Sequence, residues 1–310
     1  MQKLKIHFLN TIWSDAIILE SNNHFAFIDT GSSFYYPMIN DYLSNLKITK
    51  IDFIILTHFH NDHYGNIYNI IKNYQVDKLY LKHYYGLDGT TSSGTESSEQ
   101  YNTDELNKFN DILNIAKDNN SDIIYIDDLQ KEILEINFEN IILELYDIEN
   151  RLYNLYNDIN SPFYNQKRFN ENFNSIGVFL KVNNYNIFLG GDVTCSNTDI
   201  TELRELSLKM INKIYRKHNI NKIDIYKSCH HGGGGTNTLP LCKLINPSYT
   251  IITNTAKWLD TYNTYDNLKE ANKDVTILTT DYYKYVFDIN ENISYKSIKE
   301  DSLFITLNKQ

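Results

Sequence analysis

Three histidines and one aspartate fall within residues 58–63 of the chain. The segment Thr57-His58-Phe59-His60-Asn61-Asp62-His63 follows directly on Phe53–Leu56, an apolar run typical of a buried strand. Imidazoles packed together without a cation would be poorly satisfied, and at low pH they would repel one another. Imidazole combined with carboxylate suits Zn²⁺ or a similar first-row ion. This loop is therefore predicted to bind metal.

The spacing within the loop predicts two metal ions rather than one. His58 and His60 would point to one side, whereas Asp62 and His63, beyond the turn, would reach a second ion. Two further polar clusters follow strand-like runs later in the chain. Asp192 comes after Ile187–Leu189 and two glycines, and the pair His230-His231 comes after Ile223–Tyr226. Either cluster alone would be ambiguous, but three clusters at strand ends support one another.

Hydrophobic periodicity predicts alternating strands and helices, which is typical of a layered α/β sandwich with the sheets inside and the helices outside. The predicted strands include Leu4–Phe8, Ala16–Glu20, Phe25–Asp29, Phe53–Thr57, Ile141–Leu145, Ile176–Val182 and Asn186–Leu189. The predicted helices include Tyr36–Leu46, Asp104–Asn119 and one near Leu203–His218. No linker divides the chain, so residues 1–310 are predicted to form a single domain. Its middle stretch, about 84–172, is the part expected to cover the site.

Composition limits the classes of partner and compartment. The chain has 310 residues, with 29 basic and 39 acidic side chains, and a formal net charge of −10. This balance disfavours nucleic acid as a partner, although a local basic site would still allow it. No run of about 18 apolar residues occurs, so no membrane span is expected. The absence of a readable signal peptide and the three scattered cysteines favour a cytoplasmic location.

Taken together, the motifs resemble the metallo-β-lactamase superfamily, whose signature is HxHxDH followed by an aspartate and then a histidine. Within it, the sequence is most similar to the ComEC-type competence hydrolase domain and to bacterial phosphorylcholine esterases. The segments that carry the resemblance are residues 8–16, 28–31, 58–63, 172–175, 190–193, 226–232, 246–248 and 280–281. The resemblance implies an αββα sandwich of two mixed β-sheets flanked by helices.

The resemblance also implies a ligand set. One ion would be held by His58, His60 and Asp192, and the other by Asp62, His63, Asp192 and His231, with the Asp192 carboxylate bridging the two. His230 competes with His231 for the last position; His231 is favoured, and His230 is expected to contact the substrate or the ligand shell. Asp29 resembles a buried aspartate that orients a ligand imidazole. Capping of the turn before Gly31 is an alternative and compatible role.

The sequence departs from the superfamily pattern at two places. Many members supply a further histidine just before the strand that leads to the bridging aspartate, where this chain has Asn174-Ser175. His83 is a weaker candidate to replace that ligand. The opening segment has Ile12, Trp13 and Ser14 where the ComEC-type branch has glycines, which argues against a DNA-related role.

The resemblance implies a hydrolase with two Zn²⁺ ions, or with Mn²⁺ or Fe²⁺ as alternatives. A metal-bound hydroxide, oriented by Asp62, would attack a phosphoester such as a phosphodiester or a phosphorylcholine-like compound. Lys227 would bind an anionic group of the substrate, with a purely structural or solvated lysine as the alternative. Trp13, Tyr64 and Tyr84 are candidate substrate contacts, with core packing as their alternative. Two other functions remain open: hydrolysis of an acyl bond (lactone, thioester or β-lactam) and a metal-binding sensor without turnover.

Overall fold

Two β-sheets form the centre of the structure. The computed structural model describes residues 2–86, 103–129, 131–147, 171–194, 205–233, 235–255 and 263–299. The first sheet contains β1 (Leu4–Phe8), β2 (Ala16–Ser21), β3 (His24–Thr30), β4 (Lys50–Ile55), β5 (Gln75–Leu81), β6 (Asp122–Tyr125), β14 (Tyr283–Ile289) and β15 (Ile293–Lys299). The second contains β7 (Ile133–Phe138), β8 (Ile141–Tyr146), β9 (Gly177–Val182), β10 (Tyr185–Leu189), β11 (Ile225–Lys227), β12 (Tyr249–Ile252) and β13 (Thr276–Thr279).

Both sheets are mixed. The first has the order β15-β14-β1-β2-β3-β4-β5-β6, in which β3 to β6 run parallel to one another. The second has the order β13-β12-β11-β10-β9-β8-β7, with β10 to β13 parallel. Loops that follow parallel strands emerge at the carboxyl edge of a sheet, where α/β proteins commonly bind ligands. The predicted donors follow β4, β10 and β11 and so lie at such edges.

Helices cover the outer faces of the sheets, and the main core lies between the sheets. The helices are α1 (Tyr36–Asn45), α2 (Asn61–Tyr64), α3 (Ile67–Asn73), α4 (Thr103–Asp118), α5 (Leu206–His218), α6 (Leu239–Ile245) and α7 (Thr264–Ala271). Inward-facing residues of both sheets, such as Ile28 and Ile187, share one buried cluster. Separate clusters join the first sheet to α1, α3 and α4, and the second to α5 and α6. This confirms the expected sandwich of two mixed sheets flanked by helices.

Much of the middle stretch is integral to the sandwich. Within 84–172, α4 packs on the first sheet, β6 is the edge strand of that sheet, and β7 and β8 extend the second sheet beyond β9. Residues 87–102 and 148–170 lie outside the described part of the chain, so a covering role stays a prediction for them alone. Among the described helices, none combines the length and apolar character that a membrane crossing needs.

Candidate metal centre

The first group of donors consists of His58, His60 and Asp192, whose donor atoms lie within 4.8 Å of one another. His58 Nε2 lies 2.9 Å from His60 Nδ1 and 3.7 Å from Asp192 Oδ2. The other ring nitrogen, His58 Nδ1, lies 3.1 Å from the Thr57 hydroxyl, which fixes the orientation of the ring. Two imidazoles and one carboxylate therefore converge at the end of β4.

A second group gathers Asp15, His63, Asp192 and His231, again with donor atoms within 4.8 Å of one another. His63 Nε2 lies 3.3 Å from Asp192 Oδ2, and His231 Nε2 lies 3.6 Å from Asp192 Oδ1. Asp62 joins this group on its open side, with Oδ2 at 3.2 Å from His231 Nε2 and a side chain that is 34% exposed. Because Asp192 faces both groups, the cluster fits a binuclear metal site.

The unsatisfied atoms of the cluster also fit cations. His63 Nε2 and Asp192 Oδ1 are buried and have no hydrogen-bond partner among the described residues, which is costly for polar atoms. Burial would raise the pKa of Asp192, but neighbouring imidazoles, His231 first, hold that pKa well below its usual range. Burial would lower the pKa of His63, yet nearby carboxylates, with Asp192 the strongest, raise it well above its usual value. The carboxylates thus draw positive charge into a buried space.

Two glycines bring Asp192 to its position. A side chain at Gly190 would approach the sulfur of the buried Cys229 to 2.5 Å. Gly191 has a φ of +48°, a left-handed conformation that favours glycine. The Asp192 amide then donates to the Ser175 hydroxyl over 3.2 Å. The tight turn that the two glycines suggested is present, and it places the carboxylate beside the loop that follows β4.

The paired histidines after β11 have different surroundings. Both have left-handed backbones, with φ of 49° at His230 and 50° at His231, a conformation that costs about 1–3 kcal/mol in a residue other than glycine. His231 is buried and belongs to the second donor group. His230 is 29% exposed, and its Nε2 lies 3.8 Å from Asp192 Oδ2 and 3.3 Å from Asn172 Nδ2. The structure therefore groups His231, and not His230, with the other donors.

Asp29 lies directly behind His63. Its Oδ2 is 2.7 Å from His63 Nδ1, and its two oxygens accept hydrogen bonds from the amide and the hydroxyl of Thr57. A carboxylate on the Nδ1 side turns Nε2 towards the other donors, as an orienting residue would. Asp29 itself has a φ of +56° at the end of β3.

Residues 14–143, which include five of the candidate donors, match the family model described as the metallo-beta-lactamase superfamily. This match covers 130 of the 310 residues, so the similarity to that superfamily is shown for this part of the chain. Its fold is similar to that of Tm1679, a metal-dependent hydrolase of the beta-lactamase superfamily, with a TM-score of 0.51 and 11% identity over 89% of this chain and 95% of that one. A search of curated proteins gave no match.

Two further solved structures resemble the chain less closely. The metallo-beta-lactamase fold protein YhfI from Bacillus subtilis matches with a TM-score of 0.48 and 11% identity, over 90% of this chain and 95% of that one. The E377D mutant of the CmlA beta-hydroxylase matches with a TM-score of 0.49 and 9% identity, over 96% of this chain and 54% of that one.

Three residues predicted to contact a substrate, Tyr64, Tyr84 and Lys227, lie away from the open side of the centre. Tyr64 and Tyr84 are each 4% exposed and pack around Phe59, with ring centroids 3.9 Å and 4.5 Å from its own. Their expected contact with a substrate is corrected to core packing, the alternative role. Lys227 is completely buried and paired with Asp15, so its ammonium cannot steady a substrate group from this position.

His83 lies away from the candidate donors, whereas Trp13 lies next to one of them. His83 stacks on Tyr125, with ring centroids 3.8 Å apart, and its Nδ1 lies 3.1 Å from Asp127 Oδ2, so it does not replace the missing histidine ligand here. Trp13 lies edge-on to His231, with ring centroids 6.2 Å apart, and contact with a substrate stays a prediction for it.

Sequence reasoning assigned no role to Asp15 or Thr253. Asp15 lay inside the opening segment that resembles the superfamily, which was the available signal. Thr253 follows β12 with no motif around it, and only the tertiary structure brings it to His231.

Proposed function

We propose that the protein is a hydrolase that uses two metal ions, with Zn²⁺ as the natural pair and Mn²⁺ or Fe²⁺ as alternatives. The observation that carries this proposal is the buried Asp192 carboxylate between two groups of imidazoles. Nitrogen and oxygen donors of this kind suit zinc, and a site that keeps an open side suits catalysis rather than structure. When bound, the ions would supply Lewis-acid activation of water and would neutralise charge that develops on the substrate.

The residues on the open side have separate roles in this proposal. The partly exposed Asp62 accepts a hydrogen bond from the attacking water and so orients it towards the substrate. Burial and the nearby His231 and His60 lower the pKa of His230 in spite of the Asp192 carboxylate. A neutral His230 would donate one N–H to an oxygen of the substrate without bringing a second positive charge.

We further propose a phosphoester as the substrate. A pair of ions suits in-line displacement at phosphorus, because both the attacking and the leaving oxygen need stabilisation. The position of the additional histidine of many superfamily members is occupied by Asn174 and Ser175, both buried. Ser175 instead accepts the hydrogen bond from the Asp192 amide. This departure supports the phosphoester over an acyl bond, since acyl-bond hydrolases of the superfamily usually carry that histidine.

The test combines metal analysis with turnover of three chromogenic substrates. Purified protein is expected to contain about two equivalents of metal and to cleave bis-p-nitrophenyl phosphate or p-nitrophenyl phosphorylcholine, with loss of activity after chelation. A chromogenic β-lactam serves as the acyl comparison. Asp192→Ala is expected to lose metal and turnover while its circular dichroism spectrum stays that of the parent protein.

The outcomes separate the parts of the proposal. Lactam cleavage without phosphoester cleavage would replace the substrate class, and bound metal without any turnover would favour a sensor. Full turnover in Asp192→Ala, or a parent protein that binds no metal, would refute the hydrolase itself.

A further inference from the structure

A completely buried ion pair joins Asp15, a member of the second donor group, to Lys227. Lys227 and Asp15 have 0% and 1% of their surfaces exposed, and the Lys227 ammonium contacts Asp15 Oδ2. Lys227 Nζ also donates to the Gly191 carbonyl over 3.1 Å. Lysine is almost never this deeply buried unless it is paired, so the position requires a specific reason. We refer to these two residues as the Asp15–Lys227 link.

The Asp15 carboxylate also fixes the ring of His231. Asp15 Oδ1 lies 3.1 Å from His231 Nδ1 and accepts a 2.6 Å hydrogen bond from the Thr253 hydroxyl. The same hydroxyl lies 2.9 Å from His231 Nδ1. Because these contacts occupy the Nδ1 side, the Nε2 atom faces Asp192 and Asp62. Asp15 therefore lies behind the imidazole.

The backbone beside Asp15 reaches the third donor segment. The Asp15 amide donates to the Asp62 carbonyl over 3.1 Å, and the Ser14 hydroxyl donates to the same carbonyl over 2.9 Å. At the other end of the link, Gly191 immediately precedes Asp192. The link thus touches the segments that carry Asp62, Asp192 and His231.

We propose that Asp15 and Lys227 are positioning residues that fix the relative positions of Asp62, Asp192 and His231 for binding of the second ion. Neither Asp15 nor Lys227 touches the substrate. The proposal rests on the metal-dependent function proposed above. A carboxylate alone at position 15 would leave an uncompensated charge in the interior, whereas the pair keeps the acceptor for His231 and adds a donor for Gly191. Partners behind ligand side chains typically change metal affinity by about 10–100-fold.

The test removes both charges at once with Asp15→Asn combined with Lys227→Met. The matched control is Asp147→Asn combined with Lys82→Met, which removes a second buried Lys–Asp pair that contacts none of the candidate donors directly. Metal-free proteins are titrated with Co²⁺, followed by visible absorption, and with Zn²⁺, followed by calorimetry. Urea unfolding of the metal-free proteins reports stability separately.

The link variant is expected to bind the second ion at least about tenfold more weakly and to show a changed Co²⁺ spectrum, while the first ion is retained. The control is expected to bind both ions like the parent protein. Two ions bound with parental affinity and spectrum in the link variant would overturn the positioning role and leave the proposed function intact. A parent protein that binds no ion would overturn both.

Thr253→Val keeps both charges and covers the case in which the link variant does not fold. It removes the hydroxyl that contacts Asp15 and His231. Weaker binding of the second ion in this variant would support the positioning role, and unchanged binding would overturn it.

Discussion

The described part of the chain contains two buried Lys–Asp pairs, and the pKa of the aspartate is shifted in opposite directions in the two. In the Asp15–Lys227 link, burial would raise the pKa of Asp15, but Lys227, His231 and His63 hold it well below its usual value. In the other pair, burial raises the pKa of Asp147 in spite of Lys82. Asp15 has Lys227, His231, His63 and the Thr253 hydroxyl around it, whereas Lys82 is the ion-pair partner of Asp147 among the described residues. The number of partners, and not burial alone, therefore decides how well a buried carboxylate is stabilised.

The two pairs also differ in what they connect. Lys82 follows β5 and donates to Asp147 Oδ1 over 2.8 Å and to the Asn174 carbonyl over 3.0 Å. It thereby joins the first sheet to the end of β8 and to the segment before β9. Lys227 instead connects segments that carry candidate donors. The Lys82–Asp147 pair therefore connects the two sheets, whereas the Lys227–Asp15 pair connects segments that carry candidate metal donors.

The largest expected effect on folding is that of Lys227→Met alone. It leaves the ionised Asp15 in the interior without its main counter-charge, at a cost of about 3–5 kcal/mol in the free energy of unfolding. Urea unfolding of metal-free protein at pH 7 measures this loss. A loss below that of Lys82→Met would contradict the contrast between the pairs.

Lys82→Met is expected to cost less, about 1–3 kcal/mol at pH 7, because Asp147 can take up a proton. The folded pKa of Asp147 lies above its unfolded value, so the ionised form costs stability that grows as the pH rises through about 4. Removal of the ammonium raises this pKa further, and the loss should shrink as the pH is lowered from 7 towards 4. A loss that does not change with pH would show that Asp147 does not titrate in this way.

The smallest expected effect is at Glu20, a partly solvated counterpart of the two buried pairs. Hydrogen bonds from His7 and, in smaller measure, Lys5 lower the pKa of Glu20 to about 2 although burial opposes the shift. Its stabilisation is therefore present above about pH 4.5 and is lost as the pH falls towards 2. Solvent screening limits the effect of Glu20→Gln to about 1 kcal/mol at pH 7. Urea unfolding of the parent protein and of Glu20→Gln measures this effect. The free energies of unfolding should differ by about 1 kcal/mol at pH 7 and by much less at pH 2.5.

The parts of the site predicted from sequence are those set by local pattern. An apolar run before His58 and two glycines before Asp192 predict a strand end and a tight turn, and both occur in the structure. Strand β1 occupies the predicted residues Leu4–Phe8, and α4 lies within one residue of its predicted ends. These elements can be predicted because hydrophobic periodicity and turn-forming residues are visible in a single sequence.

The remaining parts depend on contacts between distant segments. Nothing around Lys227 in the sequence indicates that its partner is Asp15. The burial of Tyr64 follows from α4, whose Glu105 accepts the hydrogen bond from the Tyr64 hydroxyl. Hydrophobic periodicity alone does not indicate which aromatic side chains face the core and which face the candidate metal centre. Hydrophobic periodicity does not predict the helix Ile67–Asn73 or the strand Ile133–Phe138, since both are short and β7 lies at a sheet edge.

The contact between Asp15 and His231 spans 216 positions of the chain. Such a distant contact closes only after both sheets have formed and met, and topologies rich in long-range pairings fold slowly. During synthesis, the second donor group is incomplete until the segment after β11, which carries His231, has been made. Under the function proposed above, a metal-sensitive probe at this centre would report when this long-range contact between Asp15 and His231 has formed.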